Sequence, residues 1–338
     1  MVSKKIKEKI LNNSDMYNFY KNEYTSNSEA INSLIKRINA LEKKNKKQNK
    51  ILDSYHDLFN TLLCYYDVTP KRYLRNVQNL GVEILKFVNN VCEKYGIDYW
   101  LSGGTLLGAV RHDGYIPWDD DLDIAMMRSD YSKFLKVIGS ELENNNLTNI
   151  QCKFQQSKYD GKPVERWTQI TYKHPDYDIT FMGTDIFPYD YIKTNEVSNF
   201  DELFIETRKE FYLNNYEKMP FNLVLEKYYE KMNLSLEKQE FYISGIEGVR
   251  SPKDRYNAKI LKTDMLFPLD TLNFNGCPFK VPNDPHYYLT MIYGESYREI
   301  PKVVRSHNRI PNLAKIENIN ELLEDAITEM KTANENFL

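Results

Sequence analysis

Cysteine is scarce in this chain. Cys64, Cys92, Cys152 and Cys277 are the only four in 338 residues, far apart and never in a CxxC pair. That excludes a disulfide-stapled fold and a cysteine zinc site, and it fits thiols kept reduced inside a cell. Long apolar runs are missing too, and none approaches the ~18 residues of a membrane helix. The opening, MVSKKIKEKILNNSDMY, has neither the apolar core nor the small-residue cleavage site of a secretory leader. A cytoplasmic location is therefore expected, with the basic start able to touch anionic lipid at the inner membrane face. Excess charge is also lacking. With 45 basic and 48 acidic residues the net charge is −3, so no nucleic-acid partner is expected.

What the chain does have begins with a seven-residue rhythm. Ile31, Ile38, Asn45, Leu52 and Phe59 fall at one heptad position, and Leu34, Leu41, Gln48, Tyr55 and Leu62 at the other. This predicts either a coiled coil, which would give a homo-oligomer through the arm, or a single amphipathic helix. Helical spacing returns after Pro70 in KRYLRNVQNLGVEILKFVNNVCEKYG. IDYWL then reads as a strand, SGGTLLGAV as a turn opening a helix, and DLDIAM as a second strand. A further helix is expected to begin with a cap at Ser129 or Asp130. WTQITY and DITFMGTDIFPYDYI read as strands, and NINELLEDAITEMKTANENF as a closing helix. The expected layout is a polar segment over 1–26, a helical arm over 27–68, a catalytic core over 70–199, a helical insertion over 200–262 and a C-terminal part over 263–338. The class is α/β or α+β.

The chemistry concentrates in YWLSGGTLLGAVRHDGYIPWDDDLDIAMMRSDY. Four acids, Asp119, Asp120, Asp121 and Asp123, sit together inside an apolar segment. At about 5 Å and an effective dielectric near 20, each like-charge pair costs about 3 kcal/mol. Strand alternation points Asp121 and Asp123 to one face, lets Asp119 join them if the strand starts early, and turns Asp120 away. Two carboxylates on one face make a hard-oxygen site for Mg²⁺ or Mn²⁺, which would offset the repulsion. Gly103 and Gly104 allow close backbone approach, and the helix after them offers free N–H groups to a phosphate.

Gly-Gly followed by Asp-hydrophobic-Asp-hydrophobic resembles the polymerase β type of nucleotidyltransferase fold. The joint occurrence of GTLLGAVR, G-x-IPWDDDLDI and R-x-DY is similar to the signature of the LicD family of phosphocholine and fukutin-type phospho-alcohol transferases. DIFPYDYI and FNGCPFKVP…YYLTMIYGESYREIP…H resemble its later segments, so the likeness spans roughly residues 73–307. It implies a nucleotidyltransferase-like core with a mixed sheet flanked by helices. It also implies metal-dependent transfer of a phosphorylated alcohol, phosphocholine first, from a CDP-linked donor to a glycan or lipid-linked glycan precursor, releasing CMP.

On that likeness Asp121 and Asp123 are metal ligands, and Asp185 is the third carboxylate, a ligand or the base for the acceptor hydroxyl. Asp119 is a fourth ligand. Gly103, Gly104, Thr105, Arg111, Arg128, Trp118 and His307 face the donor, with Arg305 accompanying His307. Arg111 and Arg128 serve equally well as structural salt bridges. Trp100, Trp118, Trp167 and Tyr189 would supply an aromatic cage for a choline head group, although aromatic content alone does not point to choline. Two other readings compete: a DxD glycosyltransferase using a nucleotide-sugar, and a non-catalytic coiled-coil adaptor with a degenerate domain. The order of Gly-Gly helix before the DxD strand speaks against the first, and retention of both Asp121 and Asp123 against the second.

Overall fold

A computed structural model describes residues 4–64, 73–159, 162–177, 179–193, 200–216, 220–248, 259–301 and 309–337. The chain divides near Thr61 into a helical arm and a larger unit. The arm is α1 (Lys4–Cys64), one unbroken helix. No glycine or proline interrupts it, so nothing in the backbone chemistry stops it. The polar segment over 1–26, whose sequence suggests loose order or weak helix, is therefore helical from Lys4. Its apolar heptad side chains between Ile31 and Leu62 are 43–61% exposed.

In the larger unit α2 (Tyr73–Tyr95) buries Val77, Leu80, Ile84, Leu85, Val88 and Val91 and ends at Gly96 with φ +60°, the left-handed residue that commonly closes a helix. Each such aliphatic side chain contributes about 1.5–3 kcal/mol on burial. The chain continues through β1 (Trp100–Leu101), α3 (Gly103–His112), β2 (Leu122–Met127), α4 (Arg128–Asn144), β3 (Ile150–Tyr159), β4 (Lys162–Lys173) and β5 (Thr180–Ile192). After α5 (Phe200–Tyr216) and α6 (Phe221–Lys231) come β6 (Leu234–Ser235), β7 (Phe241–Ser244) and β8 (Leu261–Lys262). The hairpin β9 (Asp270–Phe274) and β10 (Cys277–Val281) precedes α7 (Pro285–Tyr293), α8 (Arg309–Leu313) and α9 (Ile319–Glu335), which packs on α2.

The main sheet runs β1-β2-β5-β4-β3, with β6 and β7 added along the far end of β5 and β8 beside β7. β2 and β5 are parallel, and the other described pairs are antiparallel. This is the expected class: a mixed sheet flanked by helices, with an N-terminal helical arm. Two expectations need correcting. Residues 200–262 are not all helical, because the segments 234–235, 241–244 and 261–262 return to the sheet. They also close a second apolar core with α5 and α6, built from Phe204, Phe211, Val224, Tyr228, Met232, Leu234 and Ile243. And α4 starts at Arg128 with Met127 as its cap residue and no side-chain capping bond, so neither Ser129 nor Asp130 caps it.

Candidate active site

The parallel pairing of β2 and β5 sets Asp123 directly opposite Asp185, and the β4–β5 pairing sets Gln169 opposite Asp185. Register partners share a sheet face, so three strands carry Asp123, Asp185 and Gln169 in one row. The flanking residues Leu122, Ile124 and Ile186 are fully buried on the other face. Gln169 donates from Nε2 to Asp185 Oδ1 at 2.6 Å and itself accepts from the Gln155 amide. Sequence spacing gave no hint of Gln169, because its place depends on a strand register set elsewhere.

Asp119, Asp120 and Asp121 precede the strand. In the turn where they lie, one carboxylate oxygen from each comes within 4.8 Å of the others. Asp120 therefore does not face away: its side chain is 2% exposed and belongs to the cluster. The alternation argument failed because β2 starts at Leu122, and period-two geometry does not extend into the turn. Gln78 holds the turn by donating to the Asp119 carbonyl at 2.9 Å.

The glycines press against these acids. A Cβ on Gly103 would meet Asp123 Oδ2 at 2.4 Å, and one on Gly104 would meet Asp119 Oδ2 at 3.1 Å. Gly103 also has φ +50°, in the left-handed region that other residues rarely adopt. The Gly104 N–H donates to Asp123 Oδ2 at 3.2 Å, so a strand carboxylate occupies the positive end of α3. Ser102, the cap residue, makes no capping bond. Its hydroxyl shares a 2.8 Å hydrogen bond with Tyr288, which shares another of 2.9 Å with Tyr189.

Burial holds the Asp123 carboxyl well above the ordinary carboxylate range, and Asp121, Asp185 and Asp119 add repulsion. Asp185 is pushed up to about 6 by burial and by Asp121, against the Trp167 indole, the Gln169 amide and the Arg309 charge. Arg309 is the cation that sequence reading missed. It reaches from α8 to the Asp120 carbonyl, from a point so distant in the chain that no local pattern could signal it. Among the described residues, one guanidinium stands beside five carboxyl groups, so acidic groups dominate the site. An all-oxygen donor set of this kind fits a hard divalent cation.

The remaining expected residues scatter. Thr105 is buried and its hydroxyl accepts the Asp123 N–H at 2.7 Å, a clasp between α3 and β2. Arg111 stands about 12 Å along α3 from Gly103 at 1.5 Å per residue, with Nη1 donating to the carbonyls of Arg298 and Glu299 at 3.3 Å each. Arg128 turns to the opposite task from phosphate binding. It donates from Nε and Nη2 to Asp190 at 2.8 Å each and from Nη1 and Nη2 to Glu247. All three are buried, so the salt-bridge alternative is the one realised. Trp118, just before the acidic turn, is partly buried against the core. Trp100 and Tyr189 are core residues, packed at 5.3 Å on each other. Trp167 carries the Arg166 guanidinium 3.7 Å over its ring and Phe187 at 4.8 Å. These four aromatics therefore form no open cage. His307 and Arg305 lie outside the described residues, as does Pro70.

Comparison with known proteins matches residues 96–226 to the LicD/FKTN/FKRP nucleotidyltransferase domain. That stretch holds the glycines, all five aspartates, α5 and half of α6. The lipopolysaccharide cholinephosphotransferase LicD of Haemophilus influenzae is 32% identical over 263 residues, covering 68% of this chain and 93% of that protein. The ribitol 5-phosphate transferase FKRP of mouse and human is 42% identical over 73 residues, 22% of this chain and 14% of that protein. A likeness running through almost the whole of one relative, and through the site in its family's model, has one reading: the chain belongs to the LicD family.

Proposed function

We propose that this protein transfers a phosphorylated alcohol from a CDP-linked donor to a hydroxyl of a glycan or its lipid-linked precursor, releasing CMP. The observation that carries the reading is the row of Asp123 and Asp185 on adjacent parallel strands, with the Asp119–Asp121 turn and the Gly103-Gly104 helix start against it. Asp121, Asp123, Asp185 and Asp119 would hold Mg²⁺ or Mn²⁺, and Asp120 lies close enough to join them. When bound, such an ion neutralises diphosphate charge and so eases departure of CMP. The rest falls to the protein. Gly103 and Gly104 keep the approach to the carboxylates free of side chains. Asp185 either completes that set or, off the ion with its carboxyl raised to about 6, removes the acceptor's proton near neutral pH. Gln169 fixes the orientation of that carboxylate, and Arg309 braces the turn. Phosphocholine is the first cargo to test. The long likeness to a cholinephosphotransferase supports it, whereas the aromatic residues do not, since Trp100, Trp167 and Tyr189 are occupied in packing.

The test is a donor panel of CDP-choline, CDP-ethanolamine, CDP-glycerol, CDP-ribitol and UDP-sugars with Mg²⁺ and a glycan acceptor. CMP release from one CDP-alcohol, abolished by Asp123→Asn, is the expected result. UDP release alone would sink the proposal in favour of a glycosyltransferase.

A further inference from the structure

We propose that residues 31–62 of α1 pair with the same residues of a second copy as a parallel, in-register, two-stranded coiled coil. Between Ile31 and Leu62 the arm exposes an apolar stripe on either side of Asn45 and Gln48, at 43–61% for each of its eight apolar seam residues. Those residues repeat every seven, so the stripe follows a left-handed supercoil seam rather than the face of a straight helix. The seven-residue spacing holds through four and a half heptads, with apolar residues at both seam positions in two heptads before and two after the polar layer of Asn45 and Gln48.

The identity of the partner follows from the side chains. Ile31, Ile38, Leu52 and Phe59 stand at a with Asn45, and Leu34, Leu41, Tyr55 and Leu62 at d with Gln48. β-branched residues at a with leucine at d, as in the first two heptads, favour two parallel strands, and a single Asn at a, here Asn45, fixes register. The flanking charges choose the orientation. In a parallel pair each g residue faces the e residue five positions on in the partner. Arg37 at g then meets Glu42 at e, once on each side of the dimer. Lys44 meets Asn49, Ile51 meets His56, and Leu58 meets Leu63. In an antiparallel pair centred on Asn45 against Gln48, g faces g and e faces e. Arg37 would then lie against Leu58, Lys44 against Ile51, and Glu42 against Asn49, with no opposite charges matched. The other lysines of EKKNKKQNK, Lys43, Lys46, Lys47 and Lys50, take positions b, c and f, away from the seam.

Sedimentation equilibrium on the full chain tests the stoichiometry. A species of twice the chain mass at micromolar concentration is expected; a monomer, or a trimer or larger assembly, overturns the proposal. Orientation is read from Leu41→Cys, which meets its own copy only in the parallel pair. Mild oxidation is expected to link that variant to itself, with wild type and its native cysteines as control. A link that forms only when Leu41→Cys is mixed with Leu52→Cys shows the antiparallel arrangement and overturns the proposal. Register is read from a charge swap. Arg37→Glu is expected to weaken the dimer about tenfold, through two lost pairs and two new repulsions, and adding Glu42→Arg restores it. Failure of the double variant to recover means that Arg37 and Glu42 do not face one another, and the register is wrong. Both charge variants keep every seam residue, so helix formation in the arm is unaffected and circular dichroism should confirm it.

Discussion

Asp185 and Asp123 are held protonated above their ordinary range chiefly by burial, with added repulsion from Asp121 on both and from Asp185 and Asp119 on Asp123. The folded state therefore binds more protons than the unfolded chain between pH ~4 and ~6, and stability falls as pH rises through that window. For Asp185 the rise from 3.8 to about 6 corresponds to at most ~3 kcal/mol. Asp185→Asn should then raise the melting temperature of the metal-free protein at pH 8, and the gain should vanish near pH 4. Thermal melting of both proteins across that range checks it; a lower melting temperature for the variant at pH 8 would contradict the assignment. Gly103 makes an opposite prediction. Gly103→Ala must accommodate a Cβ 2.4 Å from Asp123 Oδ2 at φ +50°, a backbone strain of roughly 1–2 kcal/mol before any displacement of the acid. Transfer activity should fall at least tenfold while the fold persists, because a carboxylate moved by about 1 Å loses its geometry. Far-ultraviolet circular dichroism beside a CMP-release assay separates the two effects.

At the scale of elements, Arg128 ties three pieces of chain. It starts α4 directly after β2, and it grips Asp190 in β5 and Glu247 beyond β7. Tyr229 in α6 donates to Asp190 at 2.5 Å and closes the network. Removing one member of a buried ionic set leaves the others uncompensated, which costs about 3–5 kcal/mol. Arg128→Met should accordingly lower the melting temperature by roughly 10 °C. Arg128→Lys should rescue little, because an ammonium cannot fork to two carboxylates. The triple replacement Arg128→Met, Asp190→Leu, Glu247→Met should melt higher than Arg128→Met alone. A triple variant less stable than the single one would show that these charges attract more strongly than burial penalises them.

For the whole molecule, ligand binding should register as stability. Mn²⁺ with cytidine diphosphate should raise the melting temperature by several degrees at saturating concentrations. The shift should shrink at pH 5, where protons compete for the carboxylates, and disappear in Asp123→Asn. An unchanged melting temperature at pH 8 would count against a metal-assisted site. Much of this molecule was legible in its sequence. α2, α3, α4, α9 and the strands carrying Asp123 and Asp185 follow from apolar spacing and from Gly96 and the Gly103-Gly104 turn. The short strands β6, β7 and β8 were not, because two to four residues in a Lys-, Glu- and Tyr-rich stretch carry no periodic signal. Within the site, Asp123 was placed correctly because it lies in a strand, and Asp120 was misplaced because it lies in a turn. Gln169 and Arg309 reach the acids through register and tertiary folding, which spacing along the chain does not encode.

The grip of Arg128 also bears on how this enzyme could be recombined with its relatives. A chimera that exchanges residues 200–248 for another family member's segment imports a residue at 247 without choosing its partners at 128 and 190. Those three positions are tied to one another across three parts of the chain, so a viable graft has to move them together. Substitution is then easiest on the exposed faces of α5 and α6, where residues such as Glu202, Glu206 and Lys227 can change without disturbing the tie beneath.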